Sequence, residues 1–188
     1  MKAQIKQALL ICWVVINSFG CQPNGVCEDS IFLTTDLVQE LIDQGGFEEE
    51  FTGDGAVHSY TFVLSEDKIL CGIGYRSVKD VDYQIELRNQ HDSILFSEIM
   101  QFKHRKMEYK SVGNIFLNSK DTFLITRKAN SGISTKSDLI GTIIISDDSP
   151  SPIIFPVEHG PLKIIDVNFD SIASAKFAIP LIDLEVKH

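Results

Sequence analysis

The chain has 188 residues, with 17 Lys and Arg against 26 Asp and Glu and a formal net charge of −9. A surface of that sign repels phosphate backbones, which argues against nucleic acid as a partner. A chain of this size builds one domain whose core is large enough to fold without a structural metal or cofactor.

In chain order, residues 1–20 read as a targeting segment, because Lys2 and Lys6 supply a positive start and Ala8 to Ile16 form an unbroken apolar run. That run is shorter than the about 20 residues a bilayer-spanning helix needs. Ser18-Phe19-Gly20-Cys21 follows and resembles the lipobox of bacterial lipoprotein precursors. It departs from that pattern at Ser18, where an aliphatic residue is preferred, and at Phe19, where a small one is. The resemblance implies cleavage before Cys21 and attachment there of a thioether-linked diacylglyceride and an N-acyl group. Several acyl chains hold a protein on a membrane durably. The expected location is therefore the cell envelope, at the outer membrane or cell surface, with the membrane itself as one partner. Loss of Lys2 and Lys6 deepens the acid excess by two.

Of the four cysteines, Cys12 lies in the discarded segment and Cys21 is taken by lipid. Cys27 and Cys71 remain as a candidate disulfide, since an exported protein meets an oxidising compartment. The competing reading makes Cys71 a small buried hydrophobe beside Ile69 and Ile73.

Residues 21–34 have the composition of a lipidated tether, with Pro23, Asn24 and Gly25 and no periodicity. Leu37, Val38, Leu41 and Ile42 then fall at helical spacing between Thr35 and Gln44, and Gly45-Gly46 forms a stop. Residues 35–55 are thus expected to form a short helix and an acidic turn.

Residues 56–188 speak of strands. Tyr83, Ile85 and Leu87 interleave with Gln84, Glu86 and Arg88, one dry face against one wet face, as period-two geometry requires. Ile69, Cys71, Ile73 and Tyr75 alternate in the same way with Leu70, Gly72 and Gly74. Further strands are expected over 93–101, 107–117, 122–127, 140–145, 153–157, 162–169 and 179–186, separated by stretches rich in Asn, Asp, Gly and Pro. The predicted core comprises Tyr60, Phe62, Leu64, Ile69, Ile73, Tyr83, Ile85, Leu87, Phe123, Ile125, Ile182, Leu184 and Val186. About nine or ten short strands without alternating helices predict an all-β, antiparallel β-sandwich of jelly-roll-like character, with one short N-terminal helix.

Tyr60-Thr61-Phe62, Ile73-Gly74-Tyr75, Tyr83 to Arg88 and Phe123-Leu124-Ile125-Thr126-Arg127 together resemble an uncharacterised family of bacterial extracellular β-sandwich domains. The resemblance covers about residues 56–187. It implies a fold and a location outside the cytoplasm, and it brings no catalytic residues with it.

Motifs that carry chemistry are thin. His58, His91, His104, His159 and His188 are scattered, without the His-x-x-x-His or Cys-x-x-Cys spacing of zinc sites. No Gly-x-Ser-x-Gly occurs, and Ser65-Glu66-Asp67-Lys68 fits Ser-x-x-Lys only by letter. Glu48, Glu49, Glu50 and Asp54, or Asp147 and Asp148, offer carboxylates of the kind a glycosidase pairs across a cleft. Glu48, Glu50 and Asp54 are also calcium candidates by ligand type, although the Asp-x-Asp-x-Asp-Gly order of a dedicated loop is missing. No other cofactor is expected.

Sugar recognition usually relies on flat aromatic rings, and Trp13, the only tryptophan, leaves with the targeting segment. Tyr109 is then the best candidate for an exposed ring, because Lys103, His104, Arg105 and Lys106 form a cationic patch just before it. Tyr109, His104 and Arg105 are the candidate ligand contacts, and the competing reading is a solvated hairpin end. The function expected is an exported, lipid-anchored, noncatalytic module that recognises a glycan or protein at the cell envelope. The alternatives are a carboxylate-using hydrolase and a structural accessory subunit that binds through a sheet edge.

Overall fold

The computed structural model describes residues 26–45, 47–52, 57–77, 82–103, 106–129, 141–146, 153–169 and 178–188. The targeting segment, Cys21, Asp54, His104, Arg105, Asp147 and Asp148 lie outside the described residues. The protein is an all-β, sandwich-like fold of antiparallel strands with a single helix among the described residues.

One sheet holds β1 (Ile31–Phe32), β13 (Ile182–Lys187), β4 (Lys68–Tyr75) and β7 (Glu108–Leu117), paired in that order. The other runs β10 (Val157–His159), β11 (Leu162–Phe169), β3 (Val57–Leu64), β8 (Thr122–Ala129), β5 (Asp82–Asn89) and β6 (Ile94–Gln101). A small third sheet orders β12 (Ala178–Pro180), β9 (Gly141–Ser146) and β2 (Phe47–Thr52). Helix α1 spans Leu33–Gln44.

The two large sheets meet on their dry faces. Tyr75 of β4 packs edge-on against Tyr83 of β5 with ring centroids 5.1 Å apart, and the Tyr60 hydroxyl of β3 donates to the Ile182 carbonyl of β13 at 2.8 Å. The alternation in β5 survives intact: Tyr83, Ile85 and Leu87 are fully buried. On one side of the sandwich α1 lies against β13, β10 and β11 and buries Leu33, Leu37 and Val38. On the other side β6 and β7 are the edges.

Three local expectations are corrected. The acidic stretch after the helix is a strand, β2, whose residues pair with β9 from Phe47↔Ser146 to Thr52↔Gly141. Residues 31–32 of the expected tether form β1 against β13. In β4 the register slips between Leu70 and Gly72, so Leu70 is fully buried while Ile69 is half-buried. A bulge displaces the period-two phase by one residue, which exchanges the two faces.

The largest departure concerns the outer face of β13. Ile182, Leu184 and Val186 point to the core as their spacing predicts, yet Asp183 and Glu185 between them are also fully buried. Residues 26–35 lie over that face and turn it into a second, polar interior.

Candidate functional site

Three arrangements of polar side chains stand out. The first fastens the N-terminal segment to the sheet. Glu185 accepts hydrogen bonds from the backbone N–H groups of Val26 and Cys27, both at 2.9 Å, and from the Ser30 hydroxyl at 2.7 Å. Cys27 and Cys71 are joined by a disulfide with their Cα atoms 6.2 Å apart. Asp183 does the same work one turn further on. Its Oδ1 accepts from the Thr34 and Thr35 N–H groups at 2.8 and 3.2 Å, and its Oδ2 from the Thr35 and Tyr109 hydroxyls, each at 2.5 Å. The residue before α1, Phe32, has no capping side chain of its own, so a carboxylate from a distant strand satisfies the helix's open donors and lies at the positive end of its dipole. Burial raises the Asp183 carboxyl above its ordinary value, and the hydrogen bonds from Thr35, Tyr109 and Thr34 oppose that rise.

Tyr109 is therefore not a ligand contact. It is 5% exposed, packs at a tilt against Phe32 with ring centroids 4.7 Å apart, and lies over Gly74, where an added Cβ would collide with its ring. Lys103 and Lys106 before it are exposed, as a solvated hairpin end has them, but the Tyr109 ring lies on the outer face of the four-stranded sheet, which is covered there by the N-terminal segment. Glu48 and Glu50 are likewise not gathered in a loop. They occupy an extended strand paired with Ile145 and Ile143, whereas calcium loops wrap several oxygens round the ion. Among the described residues, Cys27, Cys71 and Glu185 form a compact group of metal-ligand atom types. The two sulfurs are bonded to each other and the carboxylate is spent on the N-terminal segment, so the donor set does not suit a metal.

The second arrangement is an open groove between α1 and the β10–β11 hairpin. His159 Nδ1 contacts Glu40 Oε2. On one side of this pair a cleft of about 520 Å³ is lined by Val63 to Ser65 and by Glu158 to Lys163. On the other, a shallower one of about 530 Å³ is lined by Asp36, Gln39, Asp43 and Gln44. Partial burial raises the Asp36 carboxyl, and His159 works against that shift. The groove thus offers carboxylates, amides, a hydroxyl and one imidazole to a polar ligand. Sequence reasoning left Glu40 unnamed and read His159 as one of five scattered histidines; the two stand 119 residues apart. The one available signal was the acidic stripe Asp36, Glu40 and Asp43 at helical spacing, opposite the apolar stripe of α1.

The third arrangement lies at one end of the sandwich. Arg127 is fully buried in β8, its guanidinium 5.4 Å from the centre of the Tyr75 ring and 5.2 Å from that of Tyr83. None of its three nitrogens has a hydrogen-bond partner among the described residues, and neither does the buried Tyr75 hydroxyl. Burial pushes that hydroxyl up to about 12, with Arg127 opposing. The rings compensate the charge by about 2 kcal/mol, less than the several kcal/mol that an uncompensated buried ion costs. Arg127 follows Phe123 and Ile125 in strict alternation, and that phase was the sequence signal for its burial.

No helix among the described residues is long and apolar enough to cross a membrane. Compared with known proteins, the chain matches no family model, no curated protein and no solved structure.

Proposed function

We propose that this is an exported protein, anchored by lipid at Cys21 to the cell envelope, whose β-sandwich recognises a glycan or a protein segment without catalysing a reaction. The observation that carries the reading is the joint that begins five residues after Cys21. A disulfide and three hydrogen bonds to the buried Glu185 fix residues 26–30 to the four-stranded sheet. Such a crosslink persists in an oxidising compartment, and the joint would pass any pull on the anchor directly into the core. The recognising surface in this reading is the groove astride Glu40 and His159, which is open on both sides of the pair and has polar side chains on each.

Replacing Cys21 with Ser should abolish acyl labelling and release the protein from membranes; unchanged labelling would refute the anchor. Arraying the unlipidated domain against glycans and envelope extracts tests recognition. Binding that survives Glu40→Gln combined with His159→Ala would place the ligand elsewhere.

A second reading, a carboxylate-using hydrolase, is favoured by the contact between Glu40 and His159 beside the raised Asp36 carboxyl, since a carboxylate and an imidazole in contact within an open groove are groups that do acid–base work. Turnover of chromogenic glycoside, ester or peptide substrates that disappears in Glu40→Gln would establish it.

A further inference from the structure

We infer that the end of the sandwich around Arg127 and Tyr75 is a receptor site for a carboxylate group, separate from the Glu40–His159 groove. Two groups point to it independently. The Arg127 guanidinium carries five N–H donors and a positive charge, it is fully buried, and no acceptor among the described residues meets any of its nitrogens. The Tyr75 hydroxyl, from the opposing sheet, is also buried and unpartnered among the described residues. The cluster is rich in donors, and its missing component is an acceptor with negative charge.

The shape of the cluster narrows the choice. Tyr75 and Tyr83 meet edge to face with the guanidinium against both rings, and across the strands Arg127 faces His58 on β3 and Ile85 on β5. A carboxylate is planar and matches the guanidinium fork with two parallel hydrogen bonds. Its apolar remainder would lie among aromatic rings, which include Phe102 at 5.6 Å from Tyr75. Position along the strands is shared. β8 runs only two residues beyond Arg127, β3 begins one residue before His58, β5 begins one residue before Tyr83, and β4 ends at Tyr75. The cluster therefore lies within two residues of the ends of four strands.

Thermal unfolding of the full-length chain, with sodium acetate or sodium phosphate replacing chloride at constant ionic strength, tests the site. The expected result is a saturable rise in melting temperature with acetate. In Arg127→Met that response should vanish, and the anion-free variant should melt at or above the native temperature, because a buried unpaired charge has been removed. Tyr75→Phe should shift the acetate midpoint about tenfold, the worth of one hydrogen bond to a charged group. Should Arg127→Met fail to fold, the Arg127 Nε–Hε resonance of the native protein decides: it should move and gain exchange protection as acetate is added. The absence of a saturable response, a response retained in Arg127→Met, a response to phosphate with none to acetate, or an Nε–Hε resonance indifferent to acetate would each overturn the inference.

Discussion

The Tyr109 hydroxyl donates to Asp183 Oδ2 at 2.5 Å, joining strands β7 and β13 across an intervening β4. The same carboxylate accepts the Thr34 and Thr35 N–H groups, so strand, helix start and edge strand share one buried anion. Removing that anion strands several buried donors at once, whereas removing one donor leaves the rest in place. Asp183→Ala should therefore cost about 3 kcal/mol and Tyr109→Phe about 1 kcal/mol, read from urea midpoints at unchanged slope. Equal losses in the two variants would show that Asp183 does not organise the helix start.

Ile85 lies on β5, next to the edge of the six-stranded sheet, and is fully buried, while Ile99 on the edge strand β6 is 56% exposed. Ile85→Ala should cost about 2–5 kcal/mol through lost burial and a residual cavity. Ile99→Ala should change stability by less than about 0.5 kcal/mol. Comparable effects at the two positions would mean that the inner face of the sheet has been misassigned.

These residues also show which parts of the fold were legible. β5 was readable because one of its faces is wet, and the contrast between Ile85 and Glu86 carries that fact in the chain itself. β13 was readable only by half. Asp183 and Glu185 have the spacing of a solvated face, and what buries them is a segment some 150 residues away in sequence. The displaced phase at Ile69 and Leu70 follows from a bulge, which depends on the partner strand and leaves no mark in the residue pattern. The groove was invisible for a similar reason: Glu40 and His159 have ordinary local surroundings, and only the docking of α1 beside the β10–β11 hairpin makes them neighbours.

Cys27 and Cys71 are 44 residues apart, and a crosslink closing a loop of that length restricts the unfolded chain by about 3–4 kcal/mol. Alkylation of the folded protein without reductant, followed by mass spectrometry, should find neither thiol modified. Cys27→Ser should lower stability by roughly that amount, and reductant should then have no further effect on the variant. Two alkylatable thiols at the outset would refute the bridge.

Asp67, in the turn between β3 and β4, accepts the Ser119 N–H and hydroxyl, both at 2.8 Å, and these bonds hold its carboxyl below the ordinary value of 3.8. Its folded pKa is thus lower than its unfolded one. The stability it lends is whole above the unfolded value and is lost as pH falls through the folded value. Carbon-detected NMR titration should give Asp67 a midpoint below 3.8, and Ser119→Ala should move it upward. A native midpoint at or above 3.8 would show that the turn-to-turn link does not form in solution.

Gly72 lies beneath the joint that holds the N-terminal segment. A Cβ placed there would collide with the Glu185 carboxylate and crowd the Val26 side chain, and the carboxylate cannot yield easily. Glu185 is fully buried and fixed by three hydrogen bonds, and Val26 stands next to the disulfide. Overpacking of this kind costs about 2 kcal/mol, so Gly72→Ala should destabilise the protein by that much. The strain falls on the joint, so it should also raise the rate at which a protease cuts within residues 22–30 more than it raises cutting elsewhere. Gly113 on β7 is the control. Nothing lies within 4 Å of a Cβ there, but its φ of +81° disfavours other residues, and Gly113→Ala should cost about 1 kcal/mol without exposing the N-terminal segment. If Gly72→Ala were cut no faster than Gly113→Ala, the contact between Glu185 and the tether would not be what holds the segment against the sheet.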